Sequence, residues 1–501
     1  MNHKSIKTIG DLKKINYKVL PIKDEIRKNL IASLKNEHNP FEGILGYDDS
    51  VIPDIQTAIL SRHNIILLGL RGQAKTRIAR LFINLLDDYI PIVAGSELND
   101  NPFDPVSKFA KDLVAEEGDN TKIEWVHKSE RYTEKLATPD VTVADLIGDV
   151  DPIKAATLKL PYSDERVIHF GLIPRSNRGI FVINELPDLQ ARIQVALFNI
   201  LQENDIQIRG FKIRLPLDIQ FIFTANPEDY TNRGSIVTPL KDRIDSQILT
   251  HYPKNILVSK KITQQEAIPA EEQKSSVVVH EILENLIEQI AFEARQSEYI
   301  DSKSGVSARL TISAYENLIS TAERRMLLNN ERKTHARVMD LYGVIPAITG
   351  KVELVYEGEQ EGPYKVAQIL IGKAIKSIFT EYFPSPEKSK KNQSSNPYQT
   401  IINWFSKGNT LDLLKDCSDK EYQAALNRID GLNDFIQKQF SNESGISQAV
   451  LMEFVLHGLT EFSMLSKFRL ETSFQFKDML SSMFSMSSDE EENLDDDEYL
   501  K

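Results

Sequence analysis

An α/β fold, a parallel sheet sandwiched between helices and followed by helical regions, is what this sequence predicts. Three short apolar runs carry the expectation: Ile65–Leu68, Gly179–Ile183 and Ile219–Ala225. Continuous runs of this length suit strands buried on both faces of a parallel sheet. Each ends in a turn bearing glycine or polar residues: Gly69-Leu-Arg-Gly-Gln-Ala-Lys-Thr76, Asn184-Glu185 and Asn226-Pro227. In open α/β sheets, ligands gather at such carboxyl ends.

The first turn organises the rest. After it, Ile78, Ala79, Leu81, Phe82 and Leu85 recur at helical spacing, so Gly69, Leu70, Arg71, Gly72, Gln73, Ala74, Lys75 and Thr76 lie between a strand and a helix start. That is the context a phosphate-binding loop requires. Free backbone N–H groups and the positive end of the helix dipole would face an anion there. Lys75 would reach the β- and γ-phosphates of ATP, and the Thr76 hydroxyl would sit on Mg²⁺. Ala74 stands where the G-x-x-x-x-G-K-[ST] pattern has its second glycine.

At the end of the second run, Glu185 would orient and polarise the water attacking the γ-phosphate. Asn184 occupies the position where an aspartate normally supports Mg²⁺. An amide oxygen accepts a hydrogen bond but brings no negative charge. A helix follows in Gln190–Leu201, and Asp205–Leu215 then alternates as a hairpin around Arg209-Gly210. Its basic, aromatic tip (Arg209, Phe211, Lys212) suits contact with a partner chain or a threaded substrate; a solvated hairpin reads equally well. Asn226, after the third run, is placed to sense the γ-phosphate or the attacking water. Arg243, in Pro239-Leu-Lys-Asp-Arg243, is the first choice for an arginine reaching a neighbouring subunit's nucleotide, with Arg233 second. Arg309, at the start of a later helix, could fold back over the γ-phosphate.

The rest of the chain reads as follows: residues 1–40, a helical extension; 41–255, the nucleotide-binding core; 256–383, a helical lid; 384–397, a polar linker; 398–480, a C-terminal helical domain; 481–501, an acidic tail with the composition of disorder. Within the core, Tyr89–Ala94 reads as the next strand after Ile65–Leu68, and 95–161 as turn-rich insertions and short ribbons. The loop Phe41–Asp48 reads either as one wall of an adenine pocket or as a plain loop before a helix. With 501 residues, the chain is long enough for two to four domains.

Composition narrows the class. Hydrophobic content is 41% and charged content 27%, as in a globular protein, and no run approaches the roughly 18 apolar residues of a membrane span. One cysteine, Cys417, excludes an internal disulfide, and the amino-terminal residues lack the apolar core of a signal peptide, so a cytoplasmic location is expected. The nine histidines show no paired ligand spacing. Net charge is −13, but residues 489–501 hold eight acids and one lysine. The body is therefore only mildly acidic, which argues against a general nucleic-acid binder.

Taken together, these motifs resemble the AAA+ ATPases of the magnesium-chelatase I-subunit and MoxR group. The resemblance runs from about Phe41 to Thr349. It rests on Gly69–Thr76, on Gly171-Leu-Ile-Pro-Arg-Ser-Asn-Arg-Gly-Ile-Phe-Val-Ile-Asn-Glu185, on Thr224-Ala-Asn-Pro227, on Pro239–Arg243 and on Gly305-Val-Ser-Ala-Arg309. It implies an AAA+ P-loop αβα sandwich with a helical lid, using ATP and Mg²⁺. MoxR-like P-loops also carry the G-x-x-G-x-A-K-T form. By resemblance the ribbons at 145–174 are the helix-2 insert, the 205–215 hairpin the pre-sensor insert, Asn226 sensor 1, Arg243 the arginine finger and Arg309 sensor 2; Asn184 departs from the usual Asp. Such proteins form rings, often hexameric, acting on a separate von Willebrand A domain protein. No Asp-x-Ser-x-Ser metal motif of such a domain occurs in this chain, and the Gly-Ala-Phe-Thr-Gly-Ala loop of σ54 activators is absent. The implied function is an ATP hydrolase that remodels a partner protein or loads a metal cofactor into it. The alternatives are a nucleotide-gated scaffold and the motor of a true magnesium chelatase.

Overall fold

The computed structural model describes residues 5–161, 164–203, 205–208, 214–226, 235–387, 396–469 and 473–479. Arg233, the hairpin tip (Arg209, Phe211, Lys212), much of the linker and the acidic tail lie outside them. The chain divides into two units, Met1–Tyr252 and Pro253–Lys501.

In the first unit, five parallel strands form the sheet: β1 (Ile65–Leu68), β2 (Tyr132–Leu136), β3 (Gly179–Asn184), β4 (Ile219–Ala225) and β5 (Ser246–Leu249). Their spatial order is β5-β1-β4-β3-β2. Register sets Leu68 beside both Ala225 and Leu249, and Leu136 beside Asn184. Because successive side chains alternate faces, the apolar runs divide between two cores. Ile65, Leu67, Ile180, Val182, Ile222 and Ile248 pack on one side with α1 (Ile22–Lys35), α2 (Val51–Leu60) and Phe82. Ile66, Leu68, Phe181, Ile183, Phe221 and Phe223 pack on the other with Ile193 and Leu197. Covering both faces is what demands unbroken apolar runs.

One expectation is corrected in this unit. Tyr89–Val93 is a strand, but it pairs antiparallel with Ile123–His127, outside the five-stranded sheet. The next parallel strand is β2, Tyr-Thr-Glu-Lys-Leu, whose side chains are only half-buried or exposed. An edge strand of that composition leaves no apolar run to read. The amino-terminal extension packs into the core through Ile22, Ile26 and Leu30. Glu25 of α1 forms a buried, bidentate pair with Arg131 (2.7 and 2.8 Å).

α3 (Lys75–Leu81) follows the loop after β1, and α4 (Ala191–Glu203) follows β3. Gly148–Val150 and Ile168–Phe170 form the antiparallel ribbon of the 145–174 region, and Asp205–Gln207 pairs with Arg214–Pro216 as the hairpin's base.

The second unit is mainly helical: α5 (Glu281–Gln296), α6 (Arg309–Leu328), α7 (Pro363–Tyr382) and α8 (Gly445–Glu461) are its longest elements. A three-stranded antiparallel sheet joins them, with Ser473–Lys477 between Leu411–Leu414 and Ser466–Arg469. One hydrophobic core runs through the unit, from Leu283 and Leu318 to Ile401, Leu451 and Phe476. The residues expected as a lid (256–383) and as a C-terminal domain (398–480) therefore contribute to a common interior. α7 and α8 meet at Gly458, where any Cβ would overlap the Phe379 ring.

Candidate nucleotide site

The loop after β1 is bounded by chain geometry that needs small residues. A side chain at Gly69 would overlap both Thr250 and Gln73, and Gly72 has φ +74°. Ala74 also lies in the left-handed region, at φ +58°, immediately before α3. For a residue with a Cβ this costs about 1–2 kcal/mol, so the position that the pattern gives to glycine keeps its glycine-like conformation.

Neighbouring groups hold the loop. Tyr47 Oη donates to the carbonyls of Gln73 (3.1 Å) and His251 (2.7 Å), and burial pushes its pKa up to about 12. The Thr250 hydroxyl lies 2.7 Å from Gln73 Oε1, and Tyr252 Oη donates to the carbonyl of Arg71 (2.9 Å). Ser50 Oγ lies 2.9 Å from His251 Nε2. The loop upstream of α2 and the end of β5 thus bracket the turn. Lys75 is buried, and its Nζ donates to the carbonyls of Gly69 and Leu70, the latter at 3.0 Å. An ammonium held there sits within the turn of backbone amides that would surround a phosphate.

Asn184, buried at the end of β3, meets α3 and two neighbouring strands. Its Oδ1 accepts from Thr224 Oγ1 of β4 (3.1 Å) and from Thr76 Oγ1 (3.4 Å); its Nδ2 donates to Glu134 Oε1 of β2 (2.7 Å). The Thr224 hydroxyl also accepts from the backbone N–H of Glu185 (3.2 Å). Glu185 itself has φ +54° and is half-buried. Left-handed backbone at a non-glycine residue is sparsely populated and gathers at functional sites. Glu134 also takes a bidentate bond from Arg80 of α3 (2.8 and 3.0 Å), which holds its carboxyl below the usual range.

The structure therefore links Thr76 to Asn184 directly and Asn184 to Glu185 through the Thr224 hydroxyl, with Lys75 one residue before Thr76. Asn226 is buried at the exit of β4. Arg243 is half-buried: its Nε donates to Gln202 (3.0 Å), its Nη1 to the Pro239 carbonyl (2.7 Å), and its guanidinium stacks over Phe198. Arg309 is exposed at the first turn of α6, in the second unit. Sequence reasoning missed Glu134, Tyr47 and Thr250, and gave Thr224 no role. Each acts through a contact across strands or loops that leaves no local signature.

Thr76 Oγ1 and Asn184 Oδ1 are uncharged oxygens of the kind Mg²⁺ accepts, the ion drawing its remaining ligands from water and substrate phosphates. The donor set fits that ion. Among the described residues no cluster of three or more His, Cys, Asp or Glu side chains could hold a metal alone, and no helix is long and apolar enough to cross a membrane.

Known proteins match part of this chain. Residues 161–247, which include β3, β4 and the start of β5, match the Sigma-54 interaction domain. The Magnesium-chelatase 38 kDa subunit of Cereibacter sphaeroides is 27% identical over 226 residues, covering 43% of this chain and 60% of the relative. That of Rhodobacter capsulatus is 24% identical over 221 residues, covering 43% and 57%. The match thus spans less than two thirds of the relatives' own length. Among solved structures, a cryo-EM-based complex of the BchI and BchD subunits of magnesium chelatase aligns at 17% identity and TM-score 0.33, covering 64% of this chain and 98% of that one. That likeness is too loose to carry an argument.

The β5-β1-β4-β3-β2 sheet and the loop residues at its carboxyl edge define an AAA+ P-loop module. Within that class, the chain is similar over 43% of its length to the magnesium-chelatase 38 kDa subunits of those two organisms.

Proposed function

We propose that this protein binds ATP with Mg²⁺ in the turn after β1 and hydrolyses it. The observation that carries the reading is the linkage of Thr76, Asn184, Thr224 and Glu185 beside the buried Lys75, at the carboxyl ends of adjacent strands. In this reading Lys75 and the loop amides bind the β- and γ-phosphates. Thr76 and Asn184 would hold Mg²⁺, which supplies charge neutralisation on the phosphate oxygens when bound. Glu185 orients a water in line with the γ-phosphorus; the new P–O bond forms as the bond to the β-phosphate oxygen breaks, and ADP leaves with the electron pair. Asn226 holds the γ-phosphate or the water in register.

Arg243 supplies positive charge to a neighbouring subunit's nucleotide in a homo-oligomeric ring, a hexamer by analogy with MoxR-like proteins. Arg309, by the resemblance, is the sensor 2 arginine. The ring acts on a separate von Willebrand A domain partner, remodelling it or loading a metal cofactor into it, in the cytoplasm. The likeness to the magnesium-chelatase 38 kDa subunits supports this direction.

One observation favours a second reading. Asn184 brings no charge to the metal-side position, as expected if nucleotide binding alone switches assembly of a scaffold. Glu185→Gln separates the two. On the hydrolase reading, calorimetry finds ATP affinity retained while phosphate release falls to background. Equal phosphate release from wild type and variant would remove Glu185 from the reaction. Mixing Arg243→Ala with Glu185→Gln subunits should restore part of the activity that each lacks; no rescue at any ratio would count against a shared site.

A further inference from the structure

The Asn184 amide has two ends, and its neighbours dictate which faces Thr76. On one side stands the Glu134 carboxylate, held ionised by Nε and Nη2 of Arg80; it can only accept, so it requires the Nδ2 end. On the other stands the Thr224 hydroxyl. It already accepts from the Glu185 N–H, so its own proton is directed to Oδ1. Both neighbours select the same orientation and turn Oδ1 toward the Thr76 hydroxyl, 3.4 Å away. The register makes this possible: Leu136 lies beside Asn184, which puts Glu134 on the same strand face and diagonally within reach.

We infer that Glu134, held by Arg80, is a positioning residue for nucleotide-dependent Mg²⁺ binding, and that positions 134 and 184 work as one donor–acceptor pair. Asparagine here is thus one half of a matched pair rather than a lone loss of a carboxylate. Asn184→Asp by itself would set two carboxylates against each other across a contact that now measures 2.7 Å. Paired with Glu134→Gln, the polarity is inverted: the glutamine amide donates and the aspartate accepts. The inference rests on the reading of this turn as an ATP·Mg²⁺ site.

The test uses the full chain and ATPγS, with calorimetric affinities measured in excess Mg²⁺ and in EDTA. The readout is the factor by which Mg²⁺ tightens binding, compared among wild type, Glu134→Gln, Asn184→Asp, the double variant and Arg80→Gln. Outer partners of metal ligands typically control 10–100-fold in metal affinity. Glu134→Gln should therefore reduce the Mg²⁺ factor about tenfold. Asn184→Asp alone should reduce it similarly, and the double variant should return to within about threefold of wild type, a non-additivity that separated sites do not show. Arg80 is largely exposed, so Arg80→Gln tests the same chain of contacts without touching the core and should give a smaller loss of the same kind. A merely structural role for Glu134 would move the unfolding midpoint and leave the Mg²⁺ factor alone. The inference is overturned if Asn184→Asp by itself tightens Mg²⁺-dependent binding as much as the double variant does. It is equally overturned if Glu134→Gln and Arg80→Gln match wild type. Failure of the underlying reading looks different, because wild type would then bind no ATPγS in either condition.

Discussion

Two groups of polar side chains in this protein follow opposite plans, one in each unit. In Pro253–Lys501 the polar groups turn inward on one another. Buried Arg325 binds Asp340 (2.6 Å) and the His335 carbonyl (2.6 Å), and Arg337 binds Asp419 (2.8 Å). Glu453 accepts from the backbone of Val338 and Met339 (2.8 and 2.9 Å) and from Tyr422 (2.7 Å). Burial pushes the Glu453 carboxyl up, but His457, Tyr422 and the Val338 amide outweigh it and hold the group low. In Met1–Tyr252 the Glu25–Arg131 pair follows the same plan, but a second group gathers at the carboxyl ends of strands, where Thr76 and Glu185 remain half-buried. The contrast teaches that burial of charge alone does not mark a function. Groups whose acceptors are all matched inside the fold are structural, whereas groups assembled at one edge of a sheet can still take a ligand.

Glu453→Ala should break the inward network most severely. It removes the acceptor for two backbone amides and the Tyr422 hydroxyl, and breaking such buried sets costs about 3–5 kcal/mol. Urea unfolding should show a transition at much lower denaturant; lost nucleotide affinity without lost stability would erase the distinction between the units. Lys75→Ala should do the reverse. Hydrogen bonds to charged groups contribute about 1.5–3 kcal/mol, so ATP affinity should drop about a hundredfold. The unfolding midpoint should barely move.

A milder effect concerns pH. Burial holds His280, His335 and His457, all in the second unit, below the ordinary value of 6.5. The unfolded chain then binds protons first as pH falls through that value, so stability should decline between about pH 7 and 5 and be fully present above it. Unfolding midpoints against pH check this, and His457→Gln should flatten the slope. The smallest effect is at Ala74. Ala74→Gly relieves the left-handed strain but adds freedom to the unfolded chain, leaving a net gain of about 0.5 kcal/mol. A loss there would mean that the loop needs its Cβ.

Much of the first unit was legible because both sheet faces are covered. Ile65–Leu68 and Gly179–Ile183 carry no polar side chain and Ile219–Ala225 only Gln220 and Thr224, so their ends stood out against an apolar background. β2 was illegible for the converse reason. At the sheet edge, Tyr132-Thr-Glu-Lys-Leu136 needs no apolar face, and Glu134 went unseen with it. Asn184 could be noticed as a departure from a pattern, but its partner lies 50 residues earlier and meets it only through strand pairing. In the second unit the helical periods of α5 and α6 were readable. The short sheet of Leu411–Leu414, Ser466–Arg469 and Ser473–Lys477 was not, because four- to five-residue strands leave too little alternation to separate from helix.

Hydrolysis at the turn after β1 is the step to test first. The measurement is steady-state phosphate release from ATP against protein concentration, for wild type and for Lys75→Ala. The wild-type rate per subunit should rise with concentration as neighbours supply Arg243, and the variant should stay at background throughout. Wild type and variant indistinguishable at every concentration would contradict hydrolysis at that turn.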